Sequence, residues 1–340
     1  MIIKRIGILI SMFIIAFIPV MADSKDDARR YGLSLFPLTG IFYGQSEEIV
    51  YKYSSGRQYY SQLLWDLKPL VYTGLGINFG PRDPYKNIGI ITEASLKYGL
   101  PFKTGIMEDR DWMDKDYDFL THYSRHDAFA RNVILADLSV GFSFHIKNFL
   151  SIGTTWQFSY MYLSWTAENG YTEYSLETPS GSSSFDPGNI TTYYINGPGI
   201  MYTQNWFTFS PAVFIRGRFN RFISAEGSVS YSPLILFFGR DDHLLVDAYR
   251  HGKIFWDYCF FGHYVNIGTK FIFSPNKKFD LGLSVSYKYI TGPRGKSYTE
   301  TTGVYGSADD LKNLVSESTK DSGAGLSLLE AGIIAKFSLF

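Results

Sequence analysis

The stretch Val133–Ile146, VILADLSVGFSFHI, alternates apolar side chains with polar or small ones along most of its length. Successive side chains of a β-strand point to opposite faces, so this pattern predicts a strand with one apolar and one polar face. Residues 222–232 and 279–289 alternate in the same way. The apolar face suits lipid and the polar face suits a wet interior, although a soluble sandwich also alternates.

The N-terminus carries the pattern of an export signal. Two cations precede an apolar run from Ile6 to Val20, and the small residue Ala22 follows. This is the layout of a secretory signal peptide cleaved after Ala22. An uncleaved anchor is the alternative, but the run is shorter than the roughly 20 residues that a spanning helix needs. We therefore expect residues 1–22 to be a signal peptide and residues 23–340 to form a single domain.

The composition favours a membrane barrel over a soluble protein. The chain has 26 Tyr, 28 Phe and 6 Trp, and a membrane barrel places such rings in girdles at both interfaces. Cys259 is the only cysteine, so the chain has no internal disulfide. Lys and Arg total 32, as do Asp and Glu, so the charge balance gives no indication of a nucleic-acid partner.

The order of strands, turns and loops points to the same class. Short turns alternate with long polar loops, the latter at about 101–131, 174–198 and 300–323, as in outer-membrane barrels, which keep their long loops outside the cell. We therefore predict an all-β fold, a ten-stranded antiparallel transmembrane β-barrel of the outer-membrane type. The ten predicted strands lie at about 32–54, 58–80, 87–99, 131–147, 149–173, 199–219, 221–240, 251–273, 278–299 and 326–340.

Two charged clusters carry the candidate chemistry. The first is Glu108–Asp114, EDRDWMD, followed by Ser124-Arg125-His126, and it comes after the third predicted strand. The second is Arg240–His243, RDDH, after the seventh. Odd-numbered strands of an antiparallel barrel end on the same side of the membrane, so the two clusters can converge across its mouth.

Spacing within the clusters suggests a way to activate water. Asp109 and Asp111 are two residues apart, as are Asp241 and His243, so each pair shares a face if the backbone is extended. A histidine can take a proton near neutral pH, and a neighbouring carboxylate fixes its tautomer and stabilises the imidazolium. The opposing carboxylates would hold the water and share a proton, because two close like charges resist joint ionisation.

Other interpretations of these clusters remain open at this point. Exposed acidic loop residues are most often only solvated. The carboxylate-rich run Asp109–Asp118 could bind calcium, although it lacks the glycine and terminal glutamate of an EF-hand loop. His122 and His126 are spaced for zinc but lie in a predicted loop. Ser124 with His126 could belong to a serine triad, without the G-x-S-x-G elbow. We predict no metal and no cofactor.

These motifs together resemble the omptin family of outer-membrane endoproteases. The first cluster is similar to the family's signature loop, and Asp241-Asp242-His243 is similar to its later loop. Ser61–Trp65 and Trp165–Ala167 resemble two of its strands, and the similarity extends from about Leu33 to Phe340. The resemblance implies a ten-stranded barrel with an extracellular groove. It assigns an Asp–His dyad to Asp241 and His243, an aspartate pair to Asp109 and Asp111, and supporting positions to Ser124 and His126.

The chain departs from the family pattern at several positions. Omptins prefer basic residues at the cut through two acidic pocket residues; Glu48 matches one, and Gly239 stands at the other. His122 stands where the family has a further acidic residue. The family's lipopolysaccharide contacts fall on uncharged residues, so we expect activity without this lipid. Those four positions are Phe158, Tyr160, Tyr162 and Asn205.

The resemblance implies an aspartic-type endopeptidase in the outer membrane, with its active site facing outside. Its expected partners are peptides or proteins at the cell surface, cut near basic residues, together with outer-membrane lipid. The runner-up is a non-catalytic barrel that acts as an adhesin or a passive pore.

Overall fold

The computed structural model describes residues 31–52, 59–113, 119–178, 181–182, 185–186, 188–244, 252–302 and 318–339. The predicted signal peptide, residues 1–22, lies outside these ranges and stays a prediction. Within them, no helix is long and apolar enough to cross a membrane. The described residues form sixteen strands: β1 Tyr31–Tyr51, β2 Tyr59–Pro81, β3 Gly89–Gly99, β4 Phe102–Asp111, β5 His122–Lys147, β6 Leu150–Ser175, β7 Glu177–Thr178, β8 Gly181–Ser182, β9 Ile190–Arg218, β10 Ile223–Ser232, β11 Ile235–His243, β12 Gly252–Phe260, β13 His263–Asn276, β14 Phe279–Thr291, β15 Arg294–Thr302 and β16 Ser318–Ser338.

Fourteen of these strands close into a ring of ten positions. The order is β1, β2, β3 with β4, β5, β6, β9, β10 with β11, β13 with β12, β14 with β15, and β16, which pairs again with β1. In four positions two consecutive strands therefore share one place in the ring. Among these fourteen described strands, closure pairs the first position of the ring with the last, as a lipid environment requires. The predicted ten-stranded antiparallel barrel is confirmed.

The long connections, by contrast, are shorter than predicted. The predicted loop at 101–131 contains β4 and the first part of β5. Likewise β9 begins at Ile190, within the predicted loop 174–198, and β16 begins at Ser318, within the predicted loop 300–323. Strands that rise above the membrane meet water on their outer face, so they lose the apolar alternation while the hydrogen-bond ladder continues. With 26 to 29 residues, β5, β6 and β9 far exceed the roughly 9–11 residues that cross a bilayer.

The polar face of the alternating segments turns inward, as a membrane barrel requires. Phe142, Leu283 and Val285 are exposed on the outer wall. Inside, Lys97 Nζ lies 2.7 Å from Glu330 Oε1 and 3.4 Å from Asp137 Oδ2. Lys97 on β3 and Asp137 on β5 are on neighbouring strands, whereas Glu330 comes from β16, three positions away in the ring, so their pairing ties together several strands of the wall.

A layer of fully buried rings fills the barrel above this polar network. The Trp65 ring, from β2, lies 5.7 Å from that of Trp165 on β6 and 5.5 Å from that of Tyr202 on β9. Trp206 and Phe237 pack at 4.4 Å beside them. Because β2 and β9 are not neighbours in the ring, the stack spans the interior. This layer is therefore the floor of the upper part of the barrel interior.

Candidate active site

The upper end of β11 presents an Asp–His dyad to the interior. Asp241 and His243 alternate with outward residues, so the strand directs both to one face. His243 Nε2 lies 2.7 Å from Asp241 Oδ2, and the edge of the Phe255 ring packs against the imidazole with 5.2 Å between the ring centroids. Asp241 is 1% exposed, so little water screens its interaction with the imidazole of His243. The contact orients the imidazole and leaves Nδ1 as its second nitrogen.

The aspartate pair lies at the end of β4. Asp109 is opposite Leu63 of β2, and Asp111 is opposite Ser61. The Ser61 hydroxyl donates to Asp109 Oδ1 at 3.5 Å. Burial raises the pKa of Asp111 to about 6. Burial and the neighbouring charge of Asp111 hold the pKa of Asp109 well above its usual range.

The pair and the dyad converge although β4 and β11 are not adjacent in the ring. Burial alone would lower the pKa of His243, but the charges of Asp241, then Asp109 and Asp111, raise it to about 9. The imidazole therefore lies within electrostatic reach of three carboxylates from two strands that face each other. The structure brings together the four residues that the sequence singled out, and it does so on strands and not in loops.

Ser124 and His126 line the inner wall beside the pair. Ser124 is opposite Asp109 on β5, and His126 is opposite Met107. His126 is buried, and its Nδ1 lies 2.5 Å from the carbonyl oxygen of Asn169. Burial lowers the pKa of His126, and His243 acts on it in the same direction. A neutral His126 thus packs near the dyad, with one nitrogen already engaged by backbone.

A bulge in two adjacent strands sets the position of His126. The pairing of β5 with β6 shifts register between Arg125 and Asp127, and β6 shifts between Glu168 and Gly170. Asn169 and Gly170 have φ of 57° and 106°. A Cβ on Gly170 would lie 2.0 Å from the carbonyl oxygen of Arg125, so glycine is required there. Bulges commonly re-aim a side chain next to an active site.

Glu48 lies inside the barrel on β1 and is 2% exposed. Its Oε2 has no hydrogen-bond partner. Burial, then the charges of Asp257 and Asp241, hold the pKa of Glu48 well above its usual range. Gly239 lies on β11 opposite Asp257 of β12, a residue that the sequence analysis did not single out.

Lys320 is a second residue that sequence reasoning missed. Its charge acts on Asp111 and opposes the increase in the pKa of that carboxyl. Its place beside the pair depends on the pairing of β16, which begins in a segment predicted as loop. No local pattern in the sequence signals that contact.

The structure also bears on the calcium and zinc interpretations of the clusters. Within the described ranges, no group of three His, Cys, Asp or Glu is arranged to hold a metal ion. Asp114, Asp116 and Asp118 of the calcium candidate lie outside those ranges. His122 Nδ1 lies 2.9 Å from Thr121 Oγ1, and its ring packs on Tyr174, so the zinc pair of His122 and His126 is engaged elsewhere.

Comparison with known proteins identifies the family. A model of the Omptin family matches residues 30–326. This chain belongs to the omptin family. The omptin is 27% identical over 269 residues to the plasminogen activator of Yersinia pestis, with 77% of each chain covered. The outer membrane protease OmpT from Escherichia coli shares its fold, with a TM-score of 0.72 and 18% identity over 91% of this chain and 97% of that one. The omptin is thus a β-barrel of the bacterial outer membrane, in a family of outer-membrane proteases.

Proposed function

We propose that this omptin is a surface endopeptidase of the aspartic type, which activates water between the aspartate pair and the Asp–His dyad. The supporting observation is the convergence of Asp109 and Asp111 with Asp241 and His243 over a closed ring layer. Several carboxylates held close to one histidine perturb one another's pKa values, and such perturbed groups concentrate at functional sites.

In this mechanism the water sits between the pair and the imidazole. Neutral His243 takes a proton from water through Nδ1 while the water oxygen bonds to the peptide carbonyl carbon. Asp241 stabilises the imidazolium that forms. The aspartate pair holds the water and shares one proton in the transition state. The carbon–nitrogen bond then breaks as His243 returns the proton to the leaving nitrogen.

The substrate is a peptide or protein outside the cell, cut next to a basic residue. Glu48, buried and partly unpaired, supplies the negative charge for that basic side chain. The Yersinia pestis relative is named for activating plasminogen, a protein, which agrees with a macromolecular substrate.

A passive pore is the alternative from another class. The buried rings of Trp65, Trp165 and Tyr202 occupy the interior, which argues against an open channel. A non-catalytic adhesin would not need carboxylates from two walls grouped around one histidine. Activity distinguishes it from a protease.

The experiment is to incubate the refolded protein in detergent with a peptide library and to read cleavage by mass spectrometry. We expect cuts beside arginine or lysine. Intact peptides after prolonged incubation with a correctly folded barrel would overturn the proposal and favour the adhesin.

A further inference from the structure

The structure shows what occupies the space left by Gly239. Gly239 faces inward on β11, directly opposite Asp257 on β12. A Cβ at position 239 would lie 3.0 Å from Phe237 Cζ and 3.4 Å from Asp257 Cβ. A side chain at 239 would thus press on the Phe237 ring and come into contact with Asp257, whereas glycine leaves the space to Asp257. The two positions are adjacent across one strand pair, so a carboxylate on either reaches the same part of the interior.

Asp257 lies fully buried inside the barrel; Glu48, Ser297 and Ser322 lie near its carboxyl group and act to lower its pKa, against the effect of burial. It is 0% exposed, and neither of its carboxylate oxygens has a hydrogen-bond partner. Burial raises its pKa to about 6. A carboxylate in this state costs free energy unless a donor or a cation satisfies it. A buried acid of this kind points to a cationic group that is not part of the chain.

Two more unsatisfied carboxylate oxygens come from other strands. They are Glu48 Oε2 on β1 and Asp241 Oδ1 on β11. The charges of Asp257 and Asp241 both act on Glu48, so the three carboxylates lie close together. Gln204 on β9, opposite Gly239, accepts from Ser46 Oγ at 2.6 Å and donates to the Tyr202 hydroxyl at 3.0 Å, so this polar neighbour is already satisfied within the chain.

We propose that Asp257 is a specificity-determining residue, the second carboxylate that, with Glu48, binds the basic side chain of the substrate next to the cut. The proposal rests on the proposed function and deepens it. A planar guanidinium offers several donors to two carboxylates, and an ammonium offers three. The sequence analysis considered position 239 alone, where glycine stands in place of the family's second acidic pocket residue. With Asp257 in place, the pocket keeps two carboxyl groups, and its selectivity is that of a two-carboxylate site.

The test compares two peptides that differ only in charge. One carries arginine before the cut and the other carries citrulline, which has nearly the same shape but no charge. The ratio of their kcat/KM values measures how much the pocket carboxylates contribute to the preference for a positively charged side chain. We expect Asp257→Asn to lower this ratio roughly 10- to 100-fold, the range for a lost charge-assisted hydrogen bond. Glu48→Gln should lower it by a similar factor.

Two charge-matched controls come from the same walls. Glu47 is next to Glu48, but it faces the other way and accepts a hydrogen bond from Gln62. Asp321 on β16 is already neutralised by Lys296. Glu47→Gln and Asp321→Asn should keep the wild-type ratio. An Asp257→Asn protein that still cuts both peptides with the wild-type ratio would overturn the assignment.

Relocating the charge provides a second test. In the double variant Gly239→Asp with Asp257→Gly, the carboxylate moves to the facing strand, and the space that the Asp257 side chain filled becomes free. We expect the preference for arginine to return at least in part. A double variant that cuts the citrulline peptide but shows no preference for arginine would contradict the proposal.

Binding separates this proposal from the proposed function. Calorimetric titration of N-acetylarginine amide into wild-type and Asp257→Asn protein involves no bond cleavage. Weaker binding to the variant supports the pocket even if no peptide is cut, an outcome that would overturn the endopeptidase alone. Equal binding to both proteins would overturn the pocket.

Discussion

His243 is the side chain on which the proposed chemistry depends most directly. His243→Ala should lower kcat/KM for a cleaved peptide by roughly 10²- to 10⁴-fold, because it removes the general base. The barrel should still fold, since the imidazole faces a groove and does not brace the ring layer. His263→Ala is the control, because His263 is exposed and contacts Tyr231 at another part of the wall. Near-wild-type turnover in His243→Ala would contradict water activation by the dyad, and complete loss in Ser124→Ala would favour a serine nucleophile.

The protonation of His243 gives a prediction about pH. His243 accepts a proton only as neutral imidazole, and nearby carboxylates raise its pKa to about 9. We expect kcat/KM to rise with pH and to level off near pH 9. Below about pH 6, where Asp111 also takes up a proton, the decline should steepen.

Removing one of those charges should move the profile in a defined direction. Asp111→Asn deletes a charge that favours the imidazolium, so the pKa of His243 falls and the plateau should begin at lower pH. The residual activity of the variant, measured across the pH range, checks this. Asp321→Asn should leave the profile in place. A plateau at the wild-type pH in Asp111→Asn would show that the two groups do not interact.

Among the elements, the paired bulge of β5 and β6 is the one that shapes the site. Gly170→Ala should lower activity at least tenfold, because a Cβ 2.0 Å from the Arg125 carbonyl oxygen must displace the bulge that holds His126. Gly217→Ala on β9 is the control, since a Cβ there has no heavy atom within 4 Å. Peptide assays on both refolded variants compare them. Equal activities would mean that the bulge has no part in positioning the site.

The strands differ in how clearly the alternation of apolar and polar residues in their sequences predicts them. β10 and β14 alternate cleanly because one face meets lipid and the other the wet interior, and both were predicted. β4, FKTGIMEDRD, stands above the lipid, so its outer face can be polar and no alternation survives. The spacing of Asp109 and Asp111 still predicted that they would share a face once the segment proved to be a strand.

Contacts between strands were the part that the sequence could not supply. Asp257 faces Gly239 only through the register of β11 with β12, which depends on the connection between them and on their neighbours. Lys320 reaches Asp111 through the pairing of β16 for the same reason. The bulge did leave a signal, since Asn169-Gly170 is a dipeptide suited to positive φ.

For the whole barrel, the outer wall bears on the lipid requirement. Phe158 is exposed there, and the Tyr160 hydroxyl donates to Asn205 Oδ1 at 2.9 Å, so these positions offer rings and an engaged amide. Four cations on the described part of the upper wall are already paired: Arg131 with Glu168, Lys103 with Asp127, Arg240 with Asp242, and Lys296 with Asp321. Arg216 and Arg218 pair with Glu226 and Asp83 at the opposite end. A phosphate would have to compete with these carboxylates.

We therefore expect the detergent-refolded protein to cut peptides at full rate without lipopolysaccharide. Titrating lipopolysaccharide into the peptide assay, with a neutral phospholipid as the control, measures the dependence. A large activation that saturates with lipopolysaccharide and is absent with the phospholipid would contradict this expectation.

The ring layer across the interior also has an optical consequence. Trp65 and Trp165 come from strands that are not neighbours in the ring, and their indoles are held in fixed orientation only when the wall between them has formed. Immobilised, asymmetric rings give a near-ultraviolet circular dichroism signal, which vanishes when tertiary packing is lost. The near-ultraviolet circular dichroism of these tryptophans therefore reports whether the barrel has closed, and the measurement needs no substrate. A variant that is silent in a peptide assay but keeps this band has lost its chemistry and kept its architecture.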